Sequence, residues 1–154
     1  INIYLEYKNF DLTMFWQGVQ GVDIISDLKK ETDLWSGLNI GFLNKGKRVL
    51  DAWSPANPGS DIPALARNDS NNEKRVSTYY VENGSFLKLR NLQVGYNVPK
   101  AWTEKIRMER LRFYLSAQNL LTIKSKDFTG VDPENVNYGY PIPLNITFGV
   151  NVSF

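Results

Sequence analysis

The last eleven residues constrain the chain more than any other feature. Leu144, Ile146, Phe148, Val150, Val152 and Phe154 are apolar and share one parity, while Asn145, Thr147, Gly149, Asn151 and Ser153 between them are small or polar. Unbroken period-2 alternation places the two sets on opposite faces of a β-strand, one greasy and one wet. At about 3.3 Å per residue the strand extends roughly 36 Å. Tilted by about 45° it covers roughly 25 Å, the height of the apolar band of an outer-membrane barrel. Strands of soluble sandwiches alternate in the same way but typically run about 5–6 residues. The length therefore predicts a strand that crosses a membrane.

Similar alternation recurs upstream. Over 110–123, Leu111, Phe113, Leu115, Ala117, Leu121 and Ile123 are apolar, with Asn119 the exception, and Arg110, Arg112, Ser116, Gln118 and Thr122 are polar, interrupted by Tyr114 and Leu120. Over 85–98, Leu92, Val94, Tyr96 and Val98 alternate with Asn91, Gln93, Gly95 and Asn97. Leu87 and Leu89 have the opposite parity, which predicts a β-bulge or an exit from the membrane band near Arg90. Over 10–22, Phe10, Leu12, Met14 and Trp16 alternate with Asp11, Thr13 and Gln17, although Phe15 interrupts the polar face. Ile1, Ile3 and Leu5 alternate with Asn2, Tyr4 and Glu6 over 1–6. Five strands are expected.

The connections alternate in length: a tight turn at 7–9, a polar excursion over 23–84, a link at 99–109 and a second long loop over 124–143. Pro99 can open one or two helical turns in that link. Outer-membrane barrels have short periplasmic turns and long extracellular loops, so both long loops are expected outside the cell. Five strands leave two sheet edges whose unpaired backbone groups cannot face lipid, and single-chain barrels start at about eight strands. The chain, opening at Ile1 within strand-like sequence, is expected to be a portion of a larger barrel.

Composition narrows the chemistry. The chain has 154 residues, with 18 Lys+Arg against 16 Asp+Glu, no Cys and no His. Near-balanced charge without a basic run argues against a nucleic-acid partner. Missing thiols and imidazoles remove the usual zinc sets, cysteine nucleophiles and histidine bases. The acids Asp127, Asp132 and Glu134 offer oxygens to Ca²⁺ but lack a spaced ligand pattern, and Asp132-Pro133 reads as a turn. Asp23, Asp27, Glu31 and Asp33, interspersed with Lys29 and Lys30, read as a solvated loop face. No enzyme, no metal site and no cofactor is expected.

Several segments together resemble the C-terminal end of the SusC/RagA family of TonB-dependent outer-membrane transporters of Bacteroidota. They are Asn9-Phe-Asp-Leu12, Gln17-Gly-Val-Gln-Gly21, Asp51-Ala-Trp-Ser-Pro-Ala-Asn-Pro58 with Ile62-Pro63, the run from Ser77 to Tyr96, Ser116-Ala-Gln-Asn-Leu120 and Thr129-Gly-Val-Asp-Pro-Glu134. Pro63-Ala64 departs from relatives that carry a basic residue after the Pro. The resemblance implies an all-β fold, the C-terminal strands of a transmembrane antiparallel barrel of 22 strands. It also implies an N-terminal plug, a SusD-like surface lipoprotein as a lid, energy coupling through TonB, and glycan or peptide substrates. The terminal residues Phe148, Val150, Val152 and Phe154 resemble the signal read by the outer-membrane assembly machinery.

Within the long loops, Trp35, Trp53, Tyr79, Tyr80, Tyr138 and Tyr140 are candidate contacts for substrate or lipoprotein, and equally suited to packing the loops. The wet positions Asn91, Gln93, Asn97, Ser116, Gln118, Asn145, Thr147 and Asn151 are expected to line the lumen or meet the plug. Two other functions remain open at this point: a soluble β-sandwich that binds glycans, and a barrel of this fold serving as scaffold in a larger outer-membrane complex.

Overall fold

A computed structural model describes residues 1–34, 44–66, 72, 75–136 and 140–154. The described chain forms two compact units: residues 1–20, 85–124 and 142–154 in one, residues 21–84 and 125–141 in the other.

The first unit is a five-stranded antiparallel sheet. Its strands are β1 (Asn2–Tyr7), β2 (Phe10–Val19), β5 (Phe86–Asn97), β6 (Arg110–Lys124) and β7 (Asn145–Ser153), in the order β1-β2-β5-β6-β7. In the second unit, β3 (Asp23–Ile25) pairs with β4 (Val81–Asn83). Every neighbour in the large sheet follows its predecessor through one hairpin or one excursion, as in an up-and-down barrel wall. β2 stops at Val19, three residues before the end of the expected strand, because Gly21 turns to φ 72 and leaves the extended region. β3 and β4 escaped the sequence analysis because three residues are too few for alternation to show.

Register keeps the two faces apart across the whole sheet. Ile3, Met14, Leu92, Ala117 and Ile146 pair in one continuous row, and Leu5, Leu12, Val94, Leu115 and Phe148 in another. The wet residues fall between them, with Thr13, Gln93, Ser116 and Thr147 in one row. Among the described residues the apolar face stands open on its last strand: Ile146 is 65% and Phe148 67% exposed. A sandwich would cover such a face with another sheet about 10 Å away. A bare apolar face of this extent suits lipid and not water.

The parity switch foreseen near Arg90 is a bulge. Phe15 pairs with Asn91 and Trp16 with Leu89, so β5 carries Arg90 as an extra residue against β2. Against β6 the pairing passes from Asn91–Gln118 to Leu89–Leu121, which leaves Asn119 and Leu120 opposite Arg90. Asn119, the exception in its strand, has φ 56. Asn tolerates this left-handed conformation better than most residues.

The link at 99–109 is helical: Pro99 caps α2 (Lys100–Thr103), a 3₁₀ turn follows over Glu104–Ile106, and Arg107 ends it at φ 56. Pro99 occupies the cap position and not the first helical one, a difference of one residue that its fixed φ permits equally. No helix among the described residues is long and apolar enough to cross a membrane, which says nothing of strands.

Candidate functional site

The wet face of the sheet is the candidate site, and one row of it is built around two glycines. Glu6, Asp11, Gly95, Tyr114 and Gly149 pair in register across all five strands. Two positions before Tyr114 on β6, the Arg112 guanidinium reaches back over β5 to Asp11. Its Nη2 donates to Asp11 Oδ1 at 2.5 Å and its Nε to Oδ2 at 3.1 Å. This is a two-pronged ion pair between β2 and β6 that skips the strand between them. It is possible because Gly95 has no side chain: a Cβ there would collide with both the Arg112 guanidinium and the Asp11 carboxylate. Asn97 Nδ2 donates to Asp11 Oδ2 at 3.3 Å, and Arg110 Nη2 donates to Asn97 Oδ1 at 3.2 Å. Gly149 plays the same part for Tyr114, whose ring occupies the space a Cβ at 149 would need. An aromatic ring laid over a cross-strand glycine covers its bare backbone.

A second polar group sits at the bulge. Arg90 Nε donates to Gln17 Oε1 at 3.0 Å and its Nη1 to Asn119 Oδ1 at 3.4 Å. Asn119 Nδ2 in turn donates to the Pro143 carbonyl at 3.2 Å. The extra residue therefore links β2, β5, β6 and the lead-in to β7. On this face Ser116 Oγ also donates to Asn91 Oδ1 at 3.1 Å. The Asp11–Arg112 pairing could not be seen in the sequence, since 101 positions separate the partners. The available signal was glycine at two wet-parity positions, Gly95 and Gly149.

The loop unit has its own polar core. Ser26 caps α1 (Asp27–Asp33), its Oγ accepting from Lys29 N at 3.3 Å. Asp33 at the far end is 1% exposed, which corrects its expected place on a solvated face. Its burial is offset by three partners: the Tyr79 hydroxyl donates to Oδ2 at 2.7 Å, Arg48 Nη2 lies 3.3 Å from the same oxygen, and the Thr32 hydroxyl donates to Oδ1 at 3.2 Å. Burial, and then this hydrogen bond to Asp33, hold the Tyr79 phenol well above its ordinary pKa. Lys29 lies over the Tyr79 ring, 4.3 Å from its centroid, and donates to the Tyr79 carbonyl at 2.6 Å. Glu82 joins the two long loops, accepting from Thr129 Oγ1 at 2.7 Å and from Thr129 N at 3.1 Å.

The sequence candidates disperse over these parts. Phe148, Val150 and Val152 stand exposed on the apolar face, and Phe154 follows β7 directly. Tyr79 is part of the buried group around Asp33, and Tyr80 is 2% exposed, so its ring packs the loop unit and presents no contact surface. Trp53 is half-exposed on a closed loop in which its N–H donates to the Ile62 carbonyl. The Asp51 carbonyl accepts from Asn57 Nδ2 and Ser60 Oγ on that loop. Tyr140 is fully open to solvent. Trp35 and Tyr138 lie outside the described residues. Asp132 is a turn residue, its Oδ1 accepting from Glu134 N at 2.9 Å.

No family model matches the chain. It is 36% identical to the TonB-dependent receptor P3 of Formosa agariphila and 34% identical to the TonB-dependent receptor P26 of the same organism, each over 97% of its length. It spans 15% and 16% of those two relatives. Among solved structures it resembles the RagAB peptide transporter, with a TM-score of 0.74 and 29% identity over 97% of this chain and 16% of that one. The RagAB peptide importer in its closed-closed state gives 0.77 and 30%, over 96% of this chain and 16% of that one. These relatives are receptors and a transporter, not enzymes. By the alternating faces of its sheet and by these likenesses, the chain is homologous to TonB-dependent receptors, and its five large strands match a stretch of the outer-membrane barrel wall of a RagA-type transporter.

Proposed function

We propose that the chain forms part of the wall and two extracellular loops of an active importer of nutrient fragments. Import is coupled to TonB through the N-terminal part of the protein, beneath a SusD-like surface lipoprotein. The observation that carries this proposal is the likeness to the RagAB peptide importer along 96% of the chain, at 30% identity. That likeness favours peptides as substrate, with glycan fragments as the second class. Trp53 and Tyr140, exposed aromatics among the described residues of the loop unit, are the candidate contacts with substrate or lipoprotein. The terminal Phe148, Val150, Val152 and Phe154 are proposed as the assembly signal; their exposure on one face of the last strand supports that role.

Growth of a deletion strain on peptides, or on single glycans, as sole nutrient tests the transport role. Loss of growth on one class, restored by the full-length gene, is the expected outcome. Undiminished growth on every peptide and glycan offered would instead favour the scaffold barrel.

A further inference from the structure

The link between β5 and β6 is longer than a barrel turn needs, and its two faces differ. Lys100, Glu104 and Arg107 recur at helical spacing and line one open cleft with Arg110 and Ser153. Arg110 and Ser153 pair with each other at the wet parity of β6 and β7. At about 100° per residue, Trp102 and Ile106 fall on the opposite side of the same turns. They are 68% and 53% exposed, while Thr103 between them is buried. The charged face thus lies to the wet side of the sheet, and the apolar face turns away from it.

The apolar face of the sheet ends in aromatic residues at this same edge. Tyr7 and Phe10 pair beside the tight turn, and Phe10 packs on Tyr96 with ring centroids 4.8 Å apart. The exposed Trp102 follows this band in the chain, six positions beyond Tyr96 and at the same end of the sheet as the link it belongs to. Aromatic belts with basic residues close by mark the level of lipid headgroups. Residues 99–109 carry Lys100, Lys105 and Arg107 against Glu104 and Glu109, so basic residues flank the two apolar ones along the link.

We propose that residues 99–109 are a membrane-interface anchor, which seats Trp102 and Ile106 among the phospholipid headgroups of the periplasmic leaflet. The anchor rests on the barrel assignment of the sheet, because the lipid surface it meets continues the lipid-facing side of the strands.

Nitroxide accessibility tests it on the full-length protein, freed of other cysteines and held in nanodiscs of phosphatidylethanolamine and phosphatidylglycerol. Labels at Trp102→Cys and Ile106→Cys should favour collision with oxygen over a water-soluble nickel chelate several-fold more than a label at Glu104→Cys. Labels at Phe148→Cys and Thr147→Cys report the barrel itself, the first favouring oxygen and the second the chelate or neither. If that contrast is present but positions 102 and 106 behave like 104, the anchor is overturned and the barrel stands. Shielding of 102 and 106 from both reagents would overturn it too, and would indicate a protein partner. Absence of the contrast between 147 and 148 would overturn both.

Discussion

At the scale of single residues, the wall is organised by where side chains are missing. Asp11 and Arg112 meet across β5 only because Gly95 leaves the space between them open. Gly95→Ala would put a methyl group against both the guanidinium and the carboxylate, so the two-pronged pair must shift or open. The expected cost is about 1–3 kcal/mol, the usual range for overpacking a filled site. Thermal unfolding of the full-length protein, followed by the mobility shift of the heated barrel in gels, measures it. An Asp11→Ala, Arg112→Met background should remove most of that penalty, because the colliding charged groups are then absent. An equal loss in both backgrounds would mean that the glycine is needed for backbone reasons alone. None of this pairing was legible in the sequence, where alternation marks Asp11 and Arg112 as wet-facing but says nothing of distance across a sheet. Asn119 was legible, as the one polar residue at an apolar position. Its left-handed φ, and its bond with Arg90, explain why it interrupts the pattern.

At the scale of elements, strand identity and facing were readable because period 2 is a strong signal over nine or more residues. β7 shows this most simply. Phe148 stacks on Phe113 of β6, ring centroids 6.4 Å apart, on the apolar face, while its neighbour Thr147 pairs with Ser116 on the wet face. One position along the strand therefore exchanges lipid for lumen. Phe148→Arg should cost about 2–4 kcal/mol if it lies near the bilayer midplane, whereas Thr147→Arg should cost much less. Urea unfolding of the refolded full-length barrel in lipid vesicles distinguishes them, and equal costs would contradict the facing. The loops were less legible. Alternation cannot reveal β3 and β4, which are held by their mutual pairing and by long-range contacts such as Ser26 N to the Tyr80 carbonyl at 2.8 Å.

At the scale of the whole molecule, the two long excursions are not independent loops, since residues 21–84 and 125–141 cluster as one unit. Glu82 is the clearest tie between them. Its carboxylate accepts both the hydroxyl and the backbone N–H of Thr129, lies 3.8 Å from Lys29 Nζ, and is only 4% exposed. Glu82→Ala would leave the Thr129 N–H without this acceptor and remove the carboxylate that lies 3.8 Å from Lys29 Nζ. Loss of a buried partner of this kind costs about 1–3 kcal/mol. The segment 125–141 is anchored to this unit through that contact, so the cost should appear as local opening before any loss of the barrel. Limited proteolysis of the full-length protein in nanodiscs reads such opening directly when closing outpaces cleavage. Cutting within 125–141 should accelerate roughly tenfold in Glu82→Ala, since 1.4 kcal/mol corresponds to about one factor of ten. Glu82→Gln keeps an oxygen for Thr129 but loses the charge facing Lys29, so its rate should fall between the two. Cleavage at the wild-type rate in Glu82→Ala would show that other contacts hold the second excursion, and that the two loops can open separately.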